Sequence, residues 1–213
     1  MRKIVVIGGG QAASALIGKL VADGTTDGIT LVAAEPHVPY QRPPLSKAYL
    51  LGEMARERLF FRPESWYIDN GVSLRLGIRA VSVDPKTRKV VLSDESVLDY
   101  DDLVLTTGAC PRTLPAHIGG TLGKVFAVRD LADADAMAPA FVDGARCLIV
   151  GGGYIGLEAA AVAAKRGVKV TLVEAADRIL QRVAAPETSD YFRELHRKHG
   201  VEIREGVGLE KLT

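Results

Sequence analysis

The chain is poor in the residues that make a redox pair, a metal cage or a polarised surface. Its only two cysteines, Cys110 and Cys147, lie far apart in 213 residues and fit no C-x-x-C or metal-ligand spacing. The pattern therefore encodes neither a dithiol nor a zinc site, and the two are read as free buried thiols beside strands in a reducing compartment. Charge is balanced, with 27 Lys and Arg against 26 Asp and Glu, net +1. Neither half is polarised, so nothing argues for nucleic acid or an anionic membrane as partner. No apolar run approaches the roughly 20 residues of a membrane span. The first strand pattern begins at Lys3 or Ile4, which leaves no room for a secretory signal, and a cytoplasmic location is expected. Apolar residues make up 47% and charged residues 25%, the balance of a globular chain with one large or two modest domains.

What the chain does have is glycine in two similar places. Ile4-Val5-Val6-Ile7 runs into Gly8-Gly9-Gly10-Gln11-Ala12-Ala13, and Leu148-Ile149-Val150 into Gly151-Gly152-Gly153-Tyr154-Ile155-Gly156. Each is an apolar run, then G-x-G-x-x-G/A, then an Ala-rich helical stretch, which is the dinucleotide fingerprint. The first Gly makes the tight turn and the second lets backbone approach a pyrophosphate. The third position must be small so that helix and strand pack closely. The helix N-terminus then offers free N–H groups and a positive dipole end to phosphates. One copy could be a plain strand-to-helix turn. Two copies in the same context point to two dinucleotides.

The pattern between them is α/β. A helix is expected over about Gln11–Val21, where Ala12, Ala15, Leu16 and Leu20 recur at helical spacing. Asp23-Gly24 and Asp27-Gly28 break it before a buried strand at Ile29–Val32. Four prolines between Pro36 and Pro44 argue against regular structure, and Ser46 is a candidate cap for a short helix over Lys47–Leu51. A helix over roughly Pro63–Asn70 follows. Alternation at Val72–Leu76, Ala80–Asp84 and Lys89–Leu92 reads as a β-meander, and Leu103–Gly108 as a buried strand. Pro111 and Pro115 mark a linker, which divides the chain into 1–114 and 115–213. Helices starting at Asp130, Tyr154 and Pro186 then alternate with strands at Cys147, Val168 and Val201. The chain stops at Thr213 with one mononucleotide-binding half built, and this reads as a truncation.

A dinucleotide site wants an acid at the end of its second strand to take the ribose hydroxyls. Glu174 stands there in the second unit, and its charge would repel a 2′-phosphate, which favours NAD over NADP. A surface Glu on a strand end is the alternative. In the first unit Ala33 aligns with Glu174, and the nearest acid is Glu35, either a ribose ligand or a solvated loop residue.

Pro43-Pro44-Leu45-Ser46-Lys47-Ala48-Tyr49-Leu50, Gly151–Glu158 and Thr106-Thr107-Gly108 resemble the FAD-dependent, NADH-oxidising ferredoxin reductases of the putidaredoxin and rubredoxin reductase type. The resemblance covers essentially the whole chain. It implies a glutathione-reductase-like fold with two Rossmann-like dinucleotide-binding units and a small β-meander, residues 1–114 binding FAD and an incomplete 115–213 binding NAD. It implies that Gly8, Gly10 and Ala13, with Gln11 and Ala12 opening the helix, cradle the FAD pyrophosphate. Arg42 and Lys47 would line the flavin side, and Ala80 would touch adenine through its backbone. Thr107, Gly108 and Arg129 would be further FAD contacts. Lys47 would pair with Glu158 beside the flavin ring as the catalytic couple. Gly151, Gly153, Gly156 and Glu174 would hold NAD(H), with Tyr154 and Ile155 at the nicotinamide end and Arg182 in the following loop. From the residues alone, Lys47 reads as a solvated loop residue and Glu158 as a polar helix position.

The implied activity is hydride transfer from NADH to FAD, then single-electron delivery to an iron–sulfur ferredoxin or rubredoxin that feeds an oxygenase. The disulfide reductases of this fold carry a redox Cys pair, and their peroxidase-like branch a single Cys near Ser46. With Ser here, electrons must leave the flavin directly. Many relatives have an acid at the position of Ala34, and this chain does not. A same-fold NADH oxidase or quinone-type reductase, or a nucleotide-binding module without turnover, remain as alternatives.

Overall fold

The computed structural model describes residues 2–25 and 28–213. Two compact units emerge, one from residues up to Gln41 with Arg56–Ala109, the other from Arg42–Ala55 with Cys110–Thr213. Compactness thus groups 42–55 with the second unit, whereas the Pro111–Pro115 linker placed the division at 114.

In the first unit, strand β1 (Ile4–Ile7) leads through the glycine turn into α1 (Gln11–Ala22), which buries Ala13 and Ile17. Asp23 and Gly24 follow as turn residues, and Asp27, read as part of the same break, lies outside the described residues. Strand β2 (Ile29–Ala33) lies parallel to β1, with Ile7 opposite Val32. A 3-10 turn at Arg56–Leu59 and helix α2 (Glu64–Asp69) precede β3 (Ser73–Leu76). The alternation in β3 suggested a meander strand, but β3 pairs parallel to β2. Alternation reports one half-buried face and says nothing about the partner strand. The meander is instead β4 (Ala80–Asp84), β5 (Lys89–Leu92) and β6 (Val97–Asp99). Strand β7 (Asp102–Leu105) returns beside β1, giving the parallel order β3-β2-β1-β7. Both faces of this sheet are covered. Val6 and Leu31 pack with Ile17 and Tyr67, while Val5, Ile7 and Val32 pack with Val90, Leu92 and Tyr100.

In the second unit, Pro43–Ser46 forms a 3-10 turn and the chain from Lys47 continues in turns. The expected helix over Lys47–Leu51 is absent, and the prolines start the 3-10 turn because their fixed φ suits a first helical position. Helix α3 (Leu131–Met137) has a capping box, with Asp130 accepting from the Asp133 N–H and Asp133 accepting from the Asp130 N–H. Then β8 (Arg146–Val150), α4 (Tyr154–Lys165), β9 (Lys169–Glu174), α5 (Pro186–Lys198) and β10 (Glu202–Glu205) build a parallel sheet of order β10-β9-β8. Leu157, Ala160, Val170, Leu172 and Ile203 form its core with Leu50.

The cysteines depart from the buried-thiol reading. Cys110 is exposed, because it follows the strand and not the core, and Cys147 is half-buried on β8 with its thiol pushed up by burial. Among the described residues no helix is long and apolar enough to cross a membrane.

Candidate functional site

The two glycine turns are built alike. Gly8 donates its N–H to the Val32 carbonyl and Gly151 to the Val173 carbonyl, each at 2.8 Å. Both have φ near +110°, at +111° and +107°, a region that favours glycine. Their surroundings differ. A Cβ at Gly8 would stand 2.2 Å from the Thr106 carbonyl oxygen, and one at Gly151 would meet nothing within 4 Å. Thr106 also hydrogen-bonds through Oγ1 to the carbonyls of Ile7 and Gly8, at 3.0 and 2.9 Å. The Thr106-Thr107-Gly108 motif by itself assigns Thr106 no role. A hydroxyl at the end of the strand beside the turn was the available signal.

The third small position behaves as its spacing requires. A Cβ at Gly156 would lie 2.1 Å from the Gly151 carbonyl oxygen, and Ala13 is fully buried. The second glycines behave differently, since a Cβ at Gly10 or Gly153 would meet nothing within 4 Å. That open space lies where the helices begin, and no described side chain caps Gly10 or Gly153. Helix α3, by contrast, satisfies its first turn with its own Asp130. Uncapped N–H groups beside an open glycine fit the pyrophosphate of a dinucleotide. Gln11, Ala12, Tyr154 and Ile155 are exposed at these starts, the last two at 57% and 54%.

At the end of β9 the Glu174 carboxylate accepts from the Gly152 N–H at 2.7 Å and the Ala176 N–H at 2.8 Å. It is therefore fixed against the turn, and each oxygen keeps a lone pair for a ribose hydroxyl. The equivalent place in the first unit belongs to Ala33, as aligned from sequence, and a Cβ at Gly9 would approach its methyl to 2.7 Å. Glu35 lies two residues on, half-buried, and receives the Tyr40 hydroxyl.

The PPLSK segment is held within the second unit. Leu45 and Leu50 are each 1% exposed, Lys165 pairs with Glu53, and Arg166 donates to the Leu50 carbonyl. Lys47 Nζ meets Glu158 Oε1 at 2.7 Å, so the structure brings this predicted pair together. Ser46 Oγ donates to Glu158 Oε2 at 2.6 Å, a contact the sequence reading missed by giving Ser46 a local capping role. The lysine side chain is 48% exposed and the glutamate 28%. Such a pair alone contributes about 0–1 kcal/mol, and a hydrogen bond to a charged group about 1.5–3 kcal/mol. Arg42 donates to the Arg129 carbonyl at 2.8 Å, while the Arg129 N–H goes to Asp133. Ala80 sits on β4 opposite Leu92. Thr107, Gly108 and Arg182 are exposed. Among the described residues no cluster of His, Cys, Asp and Glu could hold a metal ion.

Comparison with known proteins agrees with this architecture. The chain is 44% identical over 201 residues to a ferredoxin–NAD(P)+ reductase of Sphingomonas sp., covering 94% of this chain and 48% of that one. It is 40% identical over 215 residues to putidaredoxin reductase of Pseudomonas putida, covering 99% and 51%. It superimposes on putidaredoxin reductase from the covalent complex with putidaredoxin at a TM-score of 0.95 and 38% identity, covering 100% and 51%. The ferredoxin reductase of the CYP199A2 system from Rhodopseudomonas palustris follows at 0.92 and 35%, covering 100% and 52%. The chain spans about half the length of the curated relatives it matches. The family model described as pyridine nucleotide-disulphide oxidoreductase matches residues 2–213, and the chain belongs to that family.

Proposed function

We propose that this chain carries the FAD- and NAD(H)-binding parts of a cytoplasmic NADH-dependent reductase whose acceptor is an iron–sulfur ferredoxin or rubredoxin. The observation that carries the reading is the matched pair of uncapped glycine turns, one of them with the Glu174 carboxylate fixed against it. Bound FAD would supply the chemistry of accepting electrons as a pair and releasing them singly. The chain's own residues bind and orient. Gly8, Gly10, Gln11, Ala12 and Ala13 would offer N–H groups and a close approach to one pyrophosphate, with Glu35 for the ribose and Ala80, Thr107 and Gly108 as further contacts. Gly151, Gly153 and Gly156 would do the same for NAD(H), with Tyr154, Ile155 and Arg182 exposed for the rest of that cofactor. Glu174 would accept the ribose diol and repel a 2′-phosphate. Lys47 would present its ammonium on the flavin side, held by Glu158, with Arg42 as a further flavin-side cation and Arg129 as a further FAD contact. The assignment of Arg42, Lys47 and Arg129 to FAD rests on the family resemblance. Ser46 in place of a thiol supports direct electron delivery.

The test is spectroscopic. Purified chain should show flavin absorbance that bleaches on anaerobic addition of NADH and far less with NADPH. A yellow chain inert to NADH would be a binding module, and a chain that takes up no FAD would sink the proposal for these residues.

A further inference from the structure

We infer that Ser46 is a positioning residue that sets the geometry of the Lys47–Glu158 pair. The inference rests on the reading above for the pair's role, while the contact itself stands on geometry alone. Two consecutive residues grip one carboxylate, Ser46 Oγ on Oε2 at 2.6 Å and Lys47 Nζ on Oε1 at 2.7 Å. The two grips are not equivalent. Ser46 is 5% exposed, so its hydroxyl has little water to compete for the bond. Its backbone mount is stiff. Pro43 and Pro44 have fixed φ, Leu45 is buried, and the Lys47 and Tyr49 N–H groups both return to the Pro44 carbonyl at 3.0 Å.

Lys47 is the loose partner. Its ammonium sits on a flexible four-carbon stem, nearly half exposed, with one further bond to the Pro43 carbonyl at 3.3 Å. An ionised carboxylate only accepts, so the serine proton points at Glu158 and fixes its rotamer from the buried side. The remaining oxygen then faces the lysine. Order therefore passes from the buried hydroxyl to the carboxylate to the ammonium. A thiol at position 46 would be a weaker donor and would hold the pair less well.

The experiment has two arms. In the 213-residue chain without added cofactor, the lysine ammonium groups are observed by proton–nitrogen NMR, with the Lys47 signal assigned by its loss in Lys47→Arg. Ser46→Ala should speed proton exchange of that ammonium about fivefold to tenfold, the factor for one lost hydrogen bond. The change should run in the same direction as that of Glu158→Gln and no further, and Ser46→Thr should restore the slow exchange. An unchanged Lys47 signal in Ser46→Ala overturns the inference. In the second arm the chain is loaded with FAD and the midpoint potential is measured. Ser46→Ala should shift it in the same direction as Glu158→Gln, and the double variant no further than Glu158→Gln alone. Additive shifts overturn the inference, because Ser46 would then act independently of Glu158. If FAD does not bind, the reductase reading fails, and the NMR arm still decides the role of Ser46.

Discussion

The first glycine turn is locked by a neighbouring strand, and the second by a carboxylate. Around Gly8, β7 stands beside β1 and Thr106 bonds across the turn. Around Gly151, β8 pairs with β9 on one side, and Glu174 holds the turn through Gly152. Their sheets are packed by different elements. The first has helices on one face and the meander on the other, and in the second Leu157 and Ala160 of α4 pack with Val170 and Leu172. One sequence spacing therefore makes one backbone turn in two environments. The environment decides which residue is indispensable.

The largest expected effect separates the two first glycines. Gly8→Ala would press a methyl into the Thr106 carbonyl at an unfavourable φ, and should cost about 4 kcal/mol or more in urea unfolding. Gly151→Ala meets only the φ penalty, about 1–3 kcal/mol. Equal losses would break the comparison. Gly153→Ala should leave stability nearly intact while weakening NADH binding, since its open space is what a pyrophosphate would use.

Next in size is Glu174→Ala. It removes the acceptor for the Gly152 and Ala176 N–H groups and should cost about 1–3 kcal/mol of stability. NADH affinity, read by titration, should fall while that for NADPH falls less. Loss of both alike would remove the ribose assignment. Thr106→Val should cost about 1 kcal/mol by denaturation, through the lost hydroxyl bonds on the first turn.

The smallest effect concerns acid. Burial pushes the Glu205 carboxyl up, but the Arg193 side chain and the Ile179 N–H outweigh it and hold the carboxyl below its ordinary value of 4.5. A depressed carboxyl contributes stability that is full above that value and lost as pH falls below it. Glu205→Gln should flatten the stability profile of the chain below about pH 4.5. An unchanged acid limb in that variant would show that another group sets it.

Much of the site was legible because its parts are local. The strand–turn–helix units follow from short apolar runs and glycine spacing, and Glu174 falls at the strand end where the ribose acid was expected. The Ala33–Glu174 equivalence also holds, because it depends only on the register of two neighbouring parallel strands. Ser46 was misread for the opposite reason. A serine before a polar run looks like a cap, and its actual partner lies 112 residues away. The place of β3 was missed likewise, since alternation fixes a face and leaves the partner open.

The amino-acid order by itself determined the two turns, the helices behind them and the place of Glu174 at the end of β9, because each arises from contacts within a few residues or from one βαβ register. Only the tertiary structure decided that Thr106 closes the first turn and that Ser46 and Lys47 share one carboxylate. It also placed the PPLSK segment in the second unit. These depend on side chains meeting across long loops, where burial of Leu45 and Leu50 holds the chain in place.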